Sequence, residues 1–438
     1  MSARRTTIAI AALAAVALGL VGCSPSITER AASGAPGVVT IEGSLTGSDA
    51  TLLQKSWAPW AKSNGITIKY TGSSDFESSI AQEAQGGNAP DLAIFAQPGI
   101  IGDLATRGYV EPLPAAVSAN VKENFPAEWA SYTTTGGNDY AAPLTASVNG
   151  WVYYSPKLFY SWGISIPSTW AQLVADTKLI ATKTGVSPWC EGFSDGAQSG
   201  AAGASWIDDV VLREDGTSVY DQWVSHQIPF SDPRITKAFN DAGQILLNKN
   251  YVNRGLEMLG GLNSVNSATS ADVAAGLASG KCAMAHETSS FVSSLKTSTG
   301  APVNVSATGD FWAFPLPPVT AGQIPLTGGG TFVSAFSTDP DTVKVQTYLS
   351  SEAWATTRVK LGGVISPDPA IAASADTSAL LTEATELLHN PSVDFRFDAA
   401  DLMPSVVGSG SYLTGVVAWM DGSTPGNVAK SIDASWPN

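Results

Sequence analysis

Hydrophobic positions along the chain switch between two spacings from Val38 onward. Val38-Val39-Thr40-Ile41-Glu42-Gly43 is rich in β-branched residues and ends in glycine, which predicts a strand. Leu53, Trp57 and Trp60 then fall three or four apart, which predicts a helix over Gln54–Ser63. Ile66–Tyr70 reads as a second strand. A helix over Phe76–Gln85 follows, with Asp75 placed to accept from its first-turn N–H groups and Gly86-Gly87 to end it. Pro90-Asp91-Leu92-Ala93-Ile94-Phe95 predicts a short buried strand, and Gly99–Arg107 a helix closed by Gly108. Strands alternating with helices predict an α/β fold with a parallel sheet. Ligands of such sheets bind beyond the carboxyl ends of the strands. That rule sets the loops at Ser48-Asp49, Ser73–Asp75 and Gln97-Pro98 on one rim, and makes Ser48, Asp75 and Gln97 candidate ligand contacts.

The pattern continues without an internal repeat. Tyr140–Pro143 and Trp151–Tyr154 are extended and aromatic, and Trp170–Thr184 has helical spacing with Ser168 as its cap. Further helices are expected near Ile235–Asn248, Ala271–Ser279 and Asp341–Leu349, with a short strand at Lys281–Met284. Phe311–Pro318 carries too many prolines for a helix and suits a crossing between lobes. Gly328–Gly330 reads as a loop feeding a strand at Thr331-Phe332-Val333.

The first residues change the picture of where the chain works. Arg4 and Arg5 precede an uncharged apolar run, Ile8–Val21, that is shorter than the roughly 20 residues of a spanning helix. The run ends in Leu20-Val21-Gly22-Cys23, which resembles a lipoprotein lipobox. Residues 1–22 are therefore expected to be a signal peptide, Cys23 the lipid-modified (palmitate-bearing) first residue of the exported protein, and 23–37 a flexible tether. This implies an extracytoplasmic lipoprotein held on the outer face of the cell membrane. The net charge of −15 opposes nucleic acid and anionic lipid as partners. Cys190 and Cys282 remain, either bridged as an oxidising compartment favours or as two buried free thiols. A bridge would contribute about 4 to 5 kcal/mol in the chain-entropy model.

Candidate chemistry gathers in Trp189–Pro233. Aromatic rings beside carboxylates suit a neutral, hydroxyl-rich ligand, because rings cover C–H faces and carboxylates accept from hydroxyls. Trp189 and Trp206 are candidate stacking rings, or else core residues; Trp312, at the expected crossing, has the same two readings. Glu191 has no evident local partner and is a candidate ligand contact. Asp208 is either a ligand contact or a first-turn partner of the helix dipole. Asp209 and Arg213, four apart, read as a surface ion pair. Arg396 with Asp398 either clamps hydroxyls or fixes the carboxyl-terminal segment, and Gly329 and Gly330 either present backbone N–H groups or form a plain turn. Gly192-Phe193-Ser194-Asp195-Gly196 matches the hydrolase nucleophile elbow, with His226, His286 or His389 as partners, but its flanks supply neither the strand nor the helix that elbow needs. Glu191 with Asp208 could instead serve a glycosidase. No metal site is expected, since His286-Glu287 lacks a second histidine, and no cofactor is implied.

Taken in order, Gly86–Asp91, Tyr140–Pro143, Tyr154–Phe159, Pro167–Trp170 and the glycine run before Phe332 resemble the extracellular solute-binding proteins of ABC sugar importers, the family that includes maltodextrin-binding proteins. Pro188-Trp189-Cys190, Ser205–Arg213, Tyr220–Trp223, Lys281–Met284 and Phe395–Pro404 are similar to the branch associated with α-glucoside uptake. The resemblance implies a two-lobed periplasmic-binding-protein-like fold with a hinge and a cleft. It assigns about 38–145 and 313–351 to the first lobe and 146–312 and 352–438 to the second. It also implies capture of an α-glucoside or malto-oligosaccharide, a membrane permease with its ATPase as partners, and no catalysis, with a secreted carbohydrate-active hydrolase as the alternative. The chain has no G-x-x-x-x-G-K-[ST] loop of its own.

Overall fold

A computed structural model describes residues 37–254, 264–300 and 302–437. The expected signal peptide, Cys23 and all of the tether except Gly37 lie outside the described residues. Among the described residues twelve strands follow in chain order: β1 (Val38–Gly43), β2 (Thr67–Gly72), β3 (Leu92–Phe95), β4 (Thr134–Thr135), β5 (Asn138–Asp139), β6 (Ala141–Val148), β7 (Trp151–Tyr154), β8 (Ser187–Trp189), β9 (Cys282–Glu287), β10 (Trp312–Pro315), β11 (Pro325–Ala335) and β12 (Asp394–Phe397).

Two sheets organise the body. The first runs β12-β11-β3-β1-β2, with β6 also paired to β11; the second runs β10-β7-β9-β8. β1 pairs in parallel with β2 and β3, as the alternation predicts, and β3 is buried at every position. β11 instead runs antiparallel to β3 and β6, so the sheet is mixed rather than parallel. Sheet membership also departs from the expected lobe boundaries. β10 pairs with β7 in the second sheet, although 313–315 was assigned to the first lobe, and β12 joins the first sheet from a segment assigned to the second. Non-local pairing decides both, and periodicity carries no information about it.

Several elements form where local chemistry predicts. The helix Phe76–Gln85 has the expected bounds, and Asp75 occupies its cap position but makes no side-chain cap bond. The helix before β2 begins at Gly47, a turn and more before the expected Gln54. Thr169, one residue past the expected Ser168, caps Trp170–Lys183 by accepting from Gln172 N–H, while Ser168 donates to the Gln172 side chain. Gly328–Gly330 lies inside β11 and is not a loop.

Two buried cores flank the sheets. One fills the first sheet around Ile41, Phe95, Phe332 and Trp354; the other gathers Trp189, Trp206, Trp223, Tyr412 and Trp419 behind the second. Cys190 and Cys282 are bridged, with Cα atoms 5.5 Å apart. The bridge fastens the segment leaving β8 to the start of β9. The long helix Ala201–Val224 is broken at Gly216, whose φ of 76° an L side chain rarely adopts.

Candidate functional site

Two cavities open where the sheets face each other, and they meet at Asn149 and Thr288, which line both. One, of about 300 Å³, lies against the carboxyl ends of β1 and β3. Leu45, Asp49, Ile94 and Ala96 line it together with Thr145, Ser147, Gly329, Gly330, Thr331, Arg358 and Asp401. The other, of about 500 Å³, is lined by Gly192–Gly196, Gln198, Ser205, Thr269–Ala271, Glu287 and Asp398. This is the crevice that the strand-end rule predicts. A third cavity of about 310 Å³ adjoins it at Gln198 and is lined by Gln97, Asp103 and Ser405. There Gln97 donates to the Gln198 side chain at 3.3 Å, and Asp103 accepts from the Ser405 hydroxyl at 2.8 Å.

Hydrogen bonding separates the carboxylates into two kinds. Asp209 is fully buried and accepts from Arg213 Nη1 at 2.6 Å, Thr327 Oγ1 at 2.8 Å and the His286 ring nitrogen Nε2 at 2.8 Å. Burial pushes its carboxyl up, but Arg213 and His286 more than offset that and hold it below its ordinary range. An ionised carboxylate only accepts, so Nε2 of His286 carries the proton. The expected Asp209–Arg213 pair therefore exists, but in the interior and not on the surface. Asp208 accepts from Tyr412 Oη at 2.8 Å and Ala399 N at 2.9 Å. Arg213 Nε donates to Leu316 O and Tyr220 Oη to Phe397 O. One helix thus ties down two of the places where the chain passes between sheets, before β11 and after β12.

The expected stacking rings are part of the core. Trp189 is fully buried and donates its indole N–H to Thr177 Oγ1 at 3.1 Å; Trp206 is fully buried and donates to Glu191 Oε2 at 3.2 Å. Trp206 also packs on His286, centroids 4.4 Å apart, and edge-on to Trp189. Glu191 has its partner after all, and burial raises its carboxyl well above the ordinary range against the opposing Trp206 bond. None of Trp189, Glu191, Trp206 and Asp208 lines either cleft cavity. Area burial explains the correction, since large rings beside buried strands contribute more inside than on a rim. Trp312 lines a separate cavity with Glu383 and Asn390 that shares no residue with the cleft. Arg396 pairs in two-pronged fashion with Asp221, at 2.7 and 3.0 Å, and reaches Glu128, leaving Asp398 to other partners. Ser48 and Asp75 are exposed and line neither cavity.

Gly329, Gly330 and Asp398 do line the cleft, and they are joined by Asp49, Asn149, Glu287, Thr288, Arg358 and Asp401, which sequence reasoning passed over. Asp49 stands beside the candidate Ser48; Arg358, one of two cations on an ordinary helix, Glu352–Lys360, gives no sequence signal. Asn149 Nδ2 donates to Asp398 Oδ2 at 2.6 Å, and Asp398 Oδ1 has no protein donor. Burial, with Asp208 and Asp209 nearby, raises Asp398 well above the ordinary range. Burial also raises Asp401, with Asp398 adding to it and Gln97 opposing, and lifts Glu287 to about 8. Arg358 is 2% exposed, bonds Gly362 O at 2.8 Å through Nη1 and leaves Nε without an acceptor; burial lowers its pKa, opposed by Asp49. Trp354 and Phe193 touch the cavities but are at most 1% exposed, so among the described residues no open ring face lines them.

The elbow motif fails geometrically. Ser194 sits in the irregular segment between β8 and a short 3-10 turn at Gly196–Gln198, and His286 is committed to Asp209. Glu191 and Asp208 bond to interior donors and face no shared cavity, which removes the glycosidase pairing.

Two sheets with polar groups converging between them define a two-lobed binding protein of the periplasmic type. Residues 42–356 match the bacterial extracellular solute-binding protein family, and the chain belongs to it. It is 30% identical over 403 residues to the osmoprotective compounds-binding protein GgtB of Synechocystis sp., covering 91% of this chain and 92% of that protein. It is 31% identical over 414 residues to the alpha-glucosides-binding periplasmic protein AglE of Rhizobium meliloti, covering 91% and 86%. Among solved structures, the solute receptor AcbH, described as preferring β-D-galactopyranose, matches with a TM-score of 0.72 at 18% identity, covering 91% of this chain and 97% of that one. RafE in complex with raffinose matches at 0.69 and 16%, covering 91% and 98%. These last two establish the fold alone. No described helix is long and apolar enough to cross a membrane.

Proposed function

We propose that this protein captures a carbohydrate, an α-glucoside or short malto-oligosaccharide, between its lobes and delivers it to an ABC permease and its ATPase. The observation that carries the reading is the convergence of donors and acceptors from both sheets on two cavities joined at Asn149 and Thr288. Asp49 and Arg358 offer an acceptor and a donor to vicinal hydroxyls on one side. Asp401 lines the same cavity, and Asp398 and Glu287 the other; burial raises all three carboxyls, which favours the protonated form that donates as well as accepts. Closure follows if the ligand makes more of these bonds in the closed state than in the open one. AglE, named for alpha-glucosides, supports an α-glucoside as the ligand.

Anchoring through Cys23 belongs to the same reading. A diacylated amino-terminal cysteine would hold the protein on the outer face of the membrane, and Cys23→Ser should release it into the medium. The binding test is a titration with maltose, trehalose, sucrose and longer malto-oligosaccharides, following heat and tryptophan fluorescence, and then recovering the sugar. Stoichiometric binding of intact sugar supports the reading; cleavage, or no binding across the panel, sinks it.

A further inference from the structure

The floor of the cleft holds a gap that packing does not require. Side chains along a strand alternate between faces, and one face of β11 carries Thr327, Gly329 and Thr331, of which Gly329 and Thr331 line the cavity. Thr327 holds Asp209, and Thr331 Oγ1 meets Thr145 Oγ1 of β6 at 2.7 Å. Between them Gly329 lies opposite Ser147. The opposite face explains its neighbours: a Cβ at Gly330 would collide with Thr145 O and come within 2.8 Å of the Trp129 ring, and one at Gly328 would meet Ser147 O and the Phe395 ring. Gly329 has no such constraint. Its Cβ would meet Ser147 Oγ at 3.4 Å and Asp401 Oδ2 at 3.9 Å, both ordinary contacts, and its φ is not left-handed. A glycine inside a strand weakens it, so neither backbone geometry nor packing accounts for this one. Space in the cavity does.

We propose that Gly329 is a specificity-determining position, its missing side chain leaving the seat in which a pyranose ring lies against the bare backbone of β11. The inference rests on the carbohydrate reading of the cleft. With no open aromatic face among the described residues of these cavities, the bare peptide of Gly329-Gly330 beside Thr331 is the surface that a sugar ring can approach. Asp401 and Ser147, the two groups nearest the absent Cβ, would then reach hydroxyls at the ring's edge. A side chain at 329 would occupy that seat without disturbing Thr145, Trp129 or Phe395.

Calorimetric titration with the panel of maltose, trehalose, sucrose and longer malto-oligosaccharides, on wild type, Gly329→Ala, Gly329→Val and Gly330→Ala, tests the assignment. For the sugar that the wild type binds, Gly329→Ala should weaken affinity roughly tenfold and Gly329→Val by more than about a hundredfold, as extra methyl groups in a fitted pocket do. Thermal midpoints of both Gly329 variants should match or exceed wild type, whereas Gly330→Ala should melt lower. If Gly329→Val does not fold, Gly329→Ala still decides. Wild-type affinity in Gly329→Ala, or a melting loss equal to that of Gly330→Ala, overturns the assignment to this residue. A wild type that binds no sugar of that panel overturns it together with the carbohydrate reading, so the two failures are distinguishable.

Discussion

The interior of the second lobe and the floor of the cleft are both crowded with carboxylates, yet they do different work. Around Trp206, every carboxylate oxygen that matters is answered from inside: Glu191 by Trp206, Asp208 by Tyr412 and Ala399, Asp209 by Arg213, Thr327 and His286. On the cleft side Asp398 keeps an oxygen without a protein donor, and Arg358 keeps an N–H without an acceptor. Residue type and sequence neighbourhood are alike in the two regions. What separates a structural carboxylate from one available to a ligand is whether the fold already supplies its donors.

The sharpest way to break that division is to remove Asp209. Asp209→Ala leaves Arg213 charged, buried and deprived of its carboxylate, and cutting one partner from a buried pair costs about 3–5 kcal/mol. Urea unfolding measures it. Unchanged stability with lost sugar binding would move Asp209 into the cleft and erase the distinction.

Trp206→Phe comes next. It keeps a ring in the core but removes the donor to Glu191, and an unanswered buried acceptor costs about 1–3 kcal/mol. Sugar affinity of the folded protein should stay within about twofold, well under the 1.4 kcal/mol that a tenfold change represents. A large loss of affinity at unchanged stability would restore Trp206 as a stacking platform.

Much of the frame was legible because it is local. β1, the helix Phe76–Gln85 and the rim beyond β1 and β3 follow from periodicity, caps and the strand-end rule. Counting cysteines left Cys190 and Cys282 as a pair, bridged or free, and the fold brings them together as a bridge. The sheet order did not follow, because β11 joins β3, β6 and β12 across long separations. The site was legible only in part for a related reason. An aromatic-rich stretch advertises buried area as readily as a binding face, so Trp189 and Trp206 drew attention that belonged to Asp49, Asn149 and Arg358. Those three are single polar residues that only the tertiary fold brings together.

Asp49→Ala tests the cleft side directly. Asp49 is exposed on the first turn of its helix, so stability should change by no more than about 0.5 kcal/mol. Loss of a charged acceptor for sugar hydroxyls removes about 1.5–3 kcal/mol of binding, tenfold or more in Kd. Wild-type affinity would take Asp49 out of the site.

The smallest effect is a slope. Burial lifts Glu287 from an ordinary value of 4.5 to about 8. Between those values the unfolded chain releases this proton while the folded chain keeps it. The unfolded state then binds fewer protons, and stability falls as pH rises from about 4.5 to about 8 and is level beyond. Asp398 and Asp401 shift the same way, so the wild-type slope alone cannot be given to Glu287. The difference from Glu287→Gln can, because glutamine mimics the neutral acid at every pH. Urea midpoints at pH 5 and pH 8.5 should fall further for wild type than for Glu287→Gln. Equal losses in both would mean that Glu287 ionises in the folded cleft with an ordinary pKa, and it would then meet a ligand as a charged acceptor and not as a donor.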